Sequence, residues 1–202
     1  SKYTNCIRTY STVGLEMIPR IARENNLTML MGAWVNGDEK PTRKEIDTLI
    51  KLVNENKDIV KAVIVGNEAL LRGDLSDKKL SEYIKEVKTA LPDIQVTYAD
   101  VWEYWVKYPE IKNLTDFVTI HILPYWEDDP MNISESIKHL AEVRHEVEGI
   151  LGTSNILIGE TGWPSEGRMR EDAMPSKINQ AKFVREFVAL AEEKGWRYNI
   201  IE

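Results

Sequence analysis

VKAVIVGNEALLRGDLS, Val60 to Ser76, changes character at its centre. It opens on apolar, mostly β-branched residues (Val60, Ala62, Val63, Ile64, Val65), the composition of a strand buried on both faces. The run then breaks at Gly66-Asn67-Glu68. A carboxylate where a buried strand emerges is costly in a core and useful at its rim, because partial desolvation raises a carboxyl toward the working range of a general acid. NILIGETGWP, Asn155 to Pro164, repeats the layout with Glu160 directly after Gly159. Two strands that each end in glycine and glutamate predict a pair of facing carboxylates.

Outward from these stretches, apolar runs and amphipathic stripes alternate. Strands are predicted at Asn5 to Ser11, Leu27 to Val35, Val60 to Gly66, Ile94 to Ala99, Phe117 to Leu123, Ile156 to Gly159 and from Trp196 onward. Helical stripes lie between them, including Ile46, Leu49, Ile50 and Val53 behind Pro41, and Leu80, Tyr83, Ile84 and Val87 behind a Ser76 cap. Val101 to Ile111 is expected to be irregular or a short aromatic-rich helix. A strand and helix recurring every ~30 residues is the pattern of right-handed βαβ units on a parallel sheet. An open doubly wound sheet and most of an eight-stranded barrel both fit. No strand is followed by a phosphate-binding glycine fingerprint, which counts against the nucleotide-binding version. In a barrel, active sites lie at the C-terminal ends of strands, where both Gly-Glu exits fall.

A length of 202 residues predicts a single domain spanning 1–202. The net charge of −7 argues against a nucleic-acid or anionic-membrane partner, because nothing here would neutralise phosphates. No apolar run is long enough to span a bilayer, and the single cysteine, Cys6, cannot form an internal disulfide. The histidines do not suggest a metal: His139 and His145 are six residues apart on a helix and His121 stands alone in a strand. A serine-nucleophile elbow is absent from the sequence.

Five of the six tryptophans, Trp34, Trp102, Trp105, Trp126 and Trp163, follow strand ends; only Trp196 precedes its strand. Singly, each has the plain reading of a ring covering core edge. Around a carboxylate pair they read as stacking platforms for a sugar, whose C–H faces pack on rings while its hydroxyls bond to Asn, Tyr and Glu. Two carboxylates facing a sugar imply glycoside hydrolysis. The competing reading of Glu68 and Glu160 is a pair of salt-bridged or solvated glutamates at loop starts.

IRTYS (Ile7 to Ser11), VIVGNEALLRGDLS (Val63 to Ser76), HILPYW (His121 to Trp126), ILIGETGWPSEG (Ile156 to Gly167) and YNIIE (Tyr198 to Glu202) together resemble glycoside hydrolase family seventeen, particularly its microbial members. The resemblance implies a TIM (β/α)8 barrel acting on β-1,3-glucan, as a retaining β-1,3-glucanase or a β-1,3-glucanosyltransferase. It implies Glu68 as general acid/base and Glu160 as nucleophile, with Asn67 on the 2-hydroxyl of the sugar and Tyr125 against the nucleophile. Tyr10, Trp126 and Trp163 would line glucose subsites, and Glu202 matches a family glutamate on the last strand.

The implied mechanism is double displacement, which needs no metal or cofactor and places the two carboxyls about 5–5.5 Å apart. The implied partner is a β-glucan oligo- or polysaccharide, and the chain is expected to be a monomer. Aligned with the family, the seven strands are its second through eighth, so the first strand is lacking and the domain is expected to be incomplete at both ends. The alternative of a different class is a catalytically inactive carbohydrate-binding fragment that keeps the tryptophan rim.

Overall fold

A computed structural model of the chain describes residues 4–201. Seven strands are present among them: β1 (Cys6–Arg8), β2 (Thr28–Ala33), β3 (Val60–Asn67), β4 (Gln95–Val101), β5 (Val118–His121), β6 (Ile156–Thr161) and β7 (Arg197–Ile200). Six helices alternate with them: α1 (Ile18–Glu24), α2 (Glu39–Glu55), α3 (Asp77–Ala90), α4 (Trp102–Lys107), α5 (Ser136–Leu151) and α6 (Lys177–Lys194). The strands form one sheet in chain order, β1 through β7. The pairs β1–β2, β2–β3, β3–β4 and β6–β7 are parallel. Sequential parallel strands joined by helices are the topology of a TIM-type α/β barrel, and that is the fold class. The open doubly wound alternative requires a strand order that reverses, and none does so here.

The chain divides into two compact units. One holds the residues up to Asp100 together with Lys107–Val118; the other holds Val101–Val106 and the residues from Thr119 onward.

In the first unit, β3 is nearly all buried, as its β-branched run predicts. α2 turns Ile46, Leu49, Leu52 and Val53 inward, and each such side chain contributes ~1.5–3 kcal/mol on burial. Asp38 caps this helix, accepting from the Lys40 amide at 3.2 Å, so the helix begins two residues before Pro41. Ser76 caps α3 through the Lys79 amide, also at 3.2 Å. Arg43 on α2 donates from Nη1 to both carboxylate oxygens of Glu86 on α3, at 2.7 and 2.8 Å.

In the second unit, α5 buries Leu140, Val143, Val147 and Leu151 and stops at Gly152, whose φ of 62° allows the left-handed turn that ends the helix. Ser176 caps α6 through the Asn179 amide at 3.0 Å. An aromatic run, Trp163, Phe183, Phe187 and Tyr198, joins the loop after β6 to α6 and β7 at centroid spacings of 6.0, 6.1 and 5.0 Å.

Several boundaries depart from the sequence expectation. β1 is three residues long rather than running to Ser11, and the aromatic stretch from Val101 resolves into α4 followed by a 3₁₀ turn over Pro109–Leu114. β6 extends through Thr161, because the carbonyl of Glu160 accepts from the Ile122 amide at 3.1 Å and that of Thr161 from the Ile201 amide at 2.9 Å. Glu160 therefore lies inside its strand rather than after it.

Candidate active site

In the first unit the Gly-Asn-Glu exit is a sharply turned end of β3. Gly66 has φ of 91°, and a Cβ there would stand 2.8 Å from Cγ2 of Val35 and press on the ring of Tyr98. Only glycine meets both conditions. Glu68 has φ of 52°, a left-handed conformation that costs a non-glycine residue ~1–3 kcal/mol and is enriched at functional sites; Asn26 and Glu171 share it elsewhere. Neighbours fix that conformation: the Glu68 amide donates to the Ala99 carbonyl at 2.8 Å, and its carbonyl accepts from the Arg72 amide at 3.0 Å.

Between the two, Asn67 is buried and held by two arginines. Its side-chain oxygen accepts from Nη2 of Arg8 at 2.5 Å, and its carbonyl accepts from Nη1 of Arg72. Each arginine also covers an aromatic ring. The Arg8 guanidinium lies 4.6 Å from the Tyr10 centroid and that of Arg72 lies 4.3 Å from Trp34. The structure thus brings Tyr10 and Asn67 together through Arg8, and ties Trp34 to the same exit through Arg72. Behind the exit, the Tyr98 hydroxyl donates to the buried Asp100 carboxylate and accepts from the Leu70 amide at 2.9 Å. Burial first, then the Asp100 charge, pushes the Tyr98 phenol well above the usual tyrosine range.

In the second unit Glu160 is buried, and its Oε1 lies 3.4 Å from Nε2 of His121, the last residue of β5. Gly162 follows at a place where a Cβ would collide with the Ile201 carbonyl oxygen, so the backbone after Glu160 can pass the residue that follows β7 only as glycine. Tyr125 stacks edge-on against Trp126 at 4.9 Å and Trp163 at 5.7 Å, and its hydroxyl donates to the Arg168 carbonyl. Arg170 reaches back across the same two loops, donating to the carbonyls of Tyr125 at 3.0 Å and Glu127 at 3.2 Å.

The tryptophan rim separates into two kinds. Trp126 is 38% exposed and offers an open ring face. Trp163 is 0% exposed, donates from Nε1 to the Met174 carbonyl at 3.0 Å, and backs Tyr125. Trp105 is 2% exposed and donates to the Thr119 carbonyl at 2.7 Å, the core-covering role that a loop tryptophan often has. Glu202 lies outside the described residues.

Sequence reasoning missed Arg8, Arg72 and His121 as contributors. Arg8 and His121 lie within the stretches IRTYS and HILPYW, but their partners are set by contacts between strands that no local pattern encodes.

Carboxylates and aromatics at strand exits, on a parallel βα scaffold with no phosphate-cradling glycine loop, are what glycosidic-bond chemistry requires, and the chain falls in the glycoside hydrolase class. Over its whole length, residues 1–202, it matches the BtgE/BtgC glycoside hydrolase domain, and it belongs to that family.

A glucan 1,3-beta-glucosidase from Schizosaccharomyces pombe is 28% identical over 209 residues, an alignment that covers 96% of this chain and 65% of the yeast protein. Among solved structures, a glycoside hydrolase family 17 β-1,3-glucanosyltransferase from Rhizomucor miehei is similar with a TM-score of 0.89 at 27% identity, covering 100% of this chain and 76% of that one. An active-site mutant of the Rhizomucor enzyme in complex with laminaritriose is similar with a TM-score of 0.88 at 26% identity, covering 98% of this chain and 75% of that chain.

Proposed function

We propose that the chain carries the catalytic site of a family seventeen retaining glycosidase acting on β-1,3-glucan. The observation that carries the reading is the strained Gly66-Asn67-Glu68 exit, where two arginines grip Asn67 and Glu68 is held at a positive φ. Family membership over residues 1–202 and the likeness to a Rhizomucor glucanosyltransferase support the substrate class.

In the first step a carboxylate oxygen of Glu160 attacks the anomeric carbon as the glycosidic C–O bond breaks, and protonated Glu68 gives its proton to the departing oxygen. In the second, Glu68 takes a proton from water or from a sugar hydroxyl, whose oxygen attacks the same carbon and releases Glu160. The chemistry needs the two carboxyls about 5–5.5 Å apart. Asn67 is assigned to the 2-hydroxyl and His121 to the orientation of Glu160. Tyr10 and Trp126 present ring surface to glucose units. Trp163 packs against Tyr125, which is assigned to contact the nucleophile Glu160. Water as acceptor gives hydrolysis; a glucan hydroxyl gives transfer.

Product chromatography on laminarin, wild type beside Glu160→Gln, tests the reading. Shorter oligomers from the wild type alone support a hydrolase, and longer ones a transferase. Laminarin binding without turnover by the folded wild type would overturn the catalytic reading in favour of a carbohydrate-binding role.

A further inference from the structure

We propose that Glu45, on α2, is a positioning residue whose carboxylate sets the backbone beneath two aromatic side chains, Tyr10 and Trp34, so that they stand at the Gly-Asn-Glu exit as sugar platforms. The sugar-contacting half of this rests on the function proposed above; the structural half does not.

Glu45 occupies the buried stripe of α2 that also contains Thr42, Ile46, Leu49, Leu52 and Val53. It is 7% exposed. An ionised side chain in such a place is tolerated only when its oxygens are fully bonded. Its Oε1 accepts from the Ser11 hydroxyl at 2.5 Å and the Val13 amide at 3.2 Å. Oε2 accepts from the Thr12 amide at 2.8 Å, the Thr12 hydroxyl at 2.9 Å and the Trp34 amide at 3.3 Å. All five donors are neutral, so the carboxylate acts as a hub of hydrogen bonds rather than one side of an ion pair.

The location of these donors carries the inference. Ser11, Thr12 and Val13 follow Tyr10 directly, and the remaining donor is the amide of Trp34 itself. Tyr10 lies beneath Arg8, which donates to the Asn67 side chain, and Trp34 lies beneath Arg72, which donates to the Asn67 carbonyl. One buried carboxylate thus bonds the main chain at the base of both aromatics that are tied through arginines to Asn67. Tyr10 and Trp34 are both half-buried, so neither is sealed in the core as Trp163 is.

The chemistry demands a carboxylate. A glutamine amide offers one acceptor oxygen and two N–H donors, so at one of the two positions its NH2 would face donors from the β1 loop or Trp34. Aspartate is shorter by one methylene and cannot reach all five.

The test compares Glu45→Gln and Ser11→Ala with the wild-type chain in two independent readouts. Amide hydrogen exchange at Thr12, Val13 and Trp34 is expected to accelerate about tenfold or more in Glu45→Gln while amides of β6 keep their protection. KM for laminari-oligosaccharides is expected to rise about tenfold with kcat within about twofold, the signature of lost uniform binding. Ser11→Ala removes one donor and shows the same KM split at smaller amplitude, which keeps the test open if Glu45→Gln does not fold. Unchanged exchange at the three amides overturns the positioning role. Loss of protection throughout, with kcat falling alongside, reduces Glu45 to a general fold-stabilising residue and also overturns it. A folded wild type that neither turns over nor binds the oligosaccharides overturns the platform role and the proposed function together, while the exchange data still report whether Glu45 orders the loop.

Discussion

Nε2 of His121 stands 3.4 Å from Oε1 of Glu160, with the imidazole wholly buried at the end of β5 and the carboxylate buried inside β6. Under the function proposed above, this histidine is the polar neighbour that orients the carboxylate. His121→Ala is expected to lower kcat by about 10–100-fold, by analogy with the loss on removing a partner that orients a metal-ligating side chain. KM should move much less. Steady-state kinetics on laminari-oligosaccharides checks this, and a change confined to KM would place His121 outside the chemistry.

Glu68→Gln removes the proposed proton donor while preserving shape. Turnover of laminarin is expected to fall by about 10²–10⁴-fold. With an activated aryl leaving group, which departs without a proton, the first step should recover most of its rate. Equal loss on both substrates would count against Glu68 as the acid.

Trp126 has the most open ring of the rim tryptophans that carry proposed roles. Trp126→Ala should weaken glucan binding by about tenfold, since a stacking contact of this kind contributes ~0.5–1.5 kcal/mol beyond its buried area. Titration of intrinsic fluorescence with laminari-oligosaccharides measures it. Affinity equal to that of the wild type would remove Trp126 from the subsites.

Gly66→Ala adds a Cβ at φ of 91°, 2.8 Å from Val35 Cγ2. Backbone strain of ~1–3 kcal/mol is expected, and forced repacking adds a similar amount. Chemical denaturation should show a lower midpoint with little change in slope. An unshifted midpoint would mean that the β3 exit can relax at small cost.

Tyr98 gives a prediction in pH. Burial and the Asp100 carboxylate hold its phenol above the ordinary value of 10.0, so the folded state keeps a proton that the unfolded chain releases. The associated stability is fully present below that ordinary value and is lost as pH rises beyond it. Tyr98→Phe removes this alkaline loss. It also takes one hydrogen bond from Asp100 and one from the Leu70 amide, costing about 1–3 kcal/mol at neutral pH. Thermal unfolding at neutral and strongly alkaline pH should therefore show a lower but flatter profile for the variant. Parallel profiles would exclude Tyr98 as the titrating group.

The alternation of strand and helix, the Ser76 cap and the two Gly-Glu exits are determined by the sequence alone, because each is a local property: a run of β-branched residues, a 3.6-residue stripe, a glycine where the chain must turn. The net charge of −7, which argues against nucleic-acid and anionic-membrane partners, likewise needs no contacts to be read. What tertiary structure alone decided is which neighbours those local elements acquire. Trp163 and Trp126 look alike in sequence, yet one is sealed behind Tyr125 and the other is open. Arg8 meets Asn67 across 59 residues, and Glu45 meets Ser11 across 34. Such pairings arise only when the sheet brings strand ends side by side. A carboxylate in an apolar stripe, as at Glu45, is a faint local trace of them: its burial becomes affordable only once distant donors arrive to bond it.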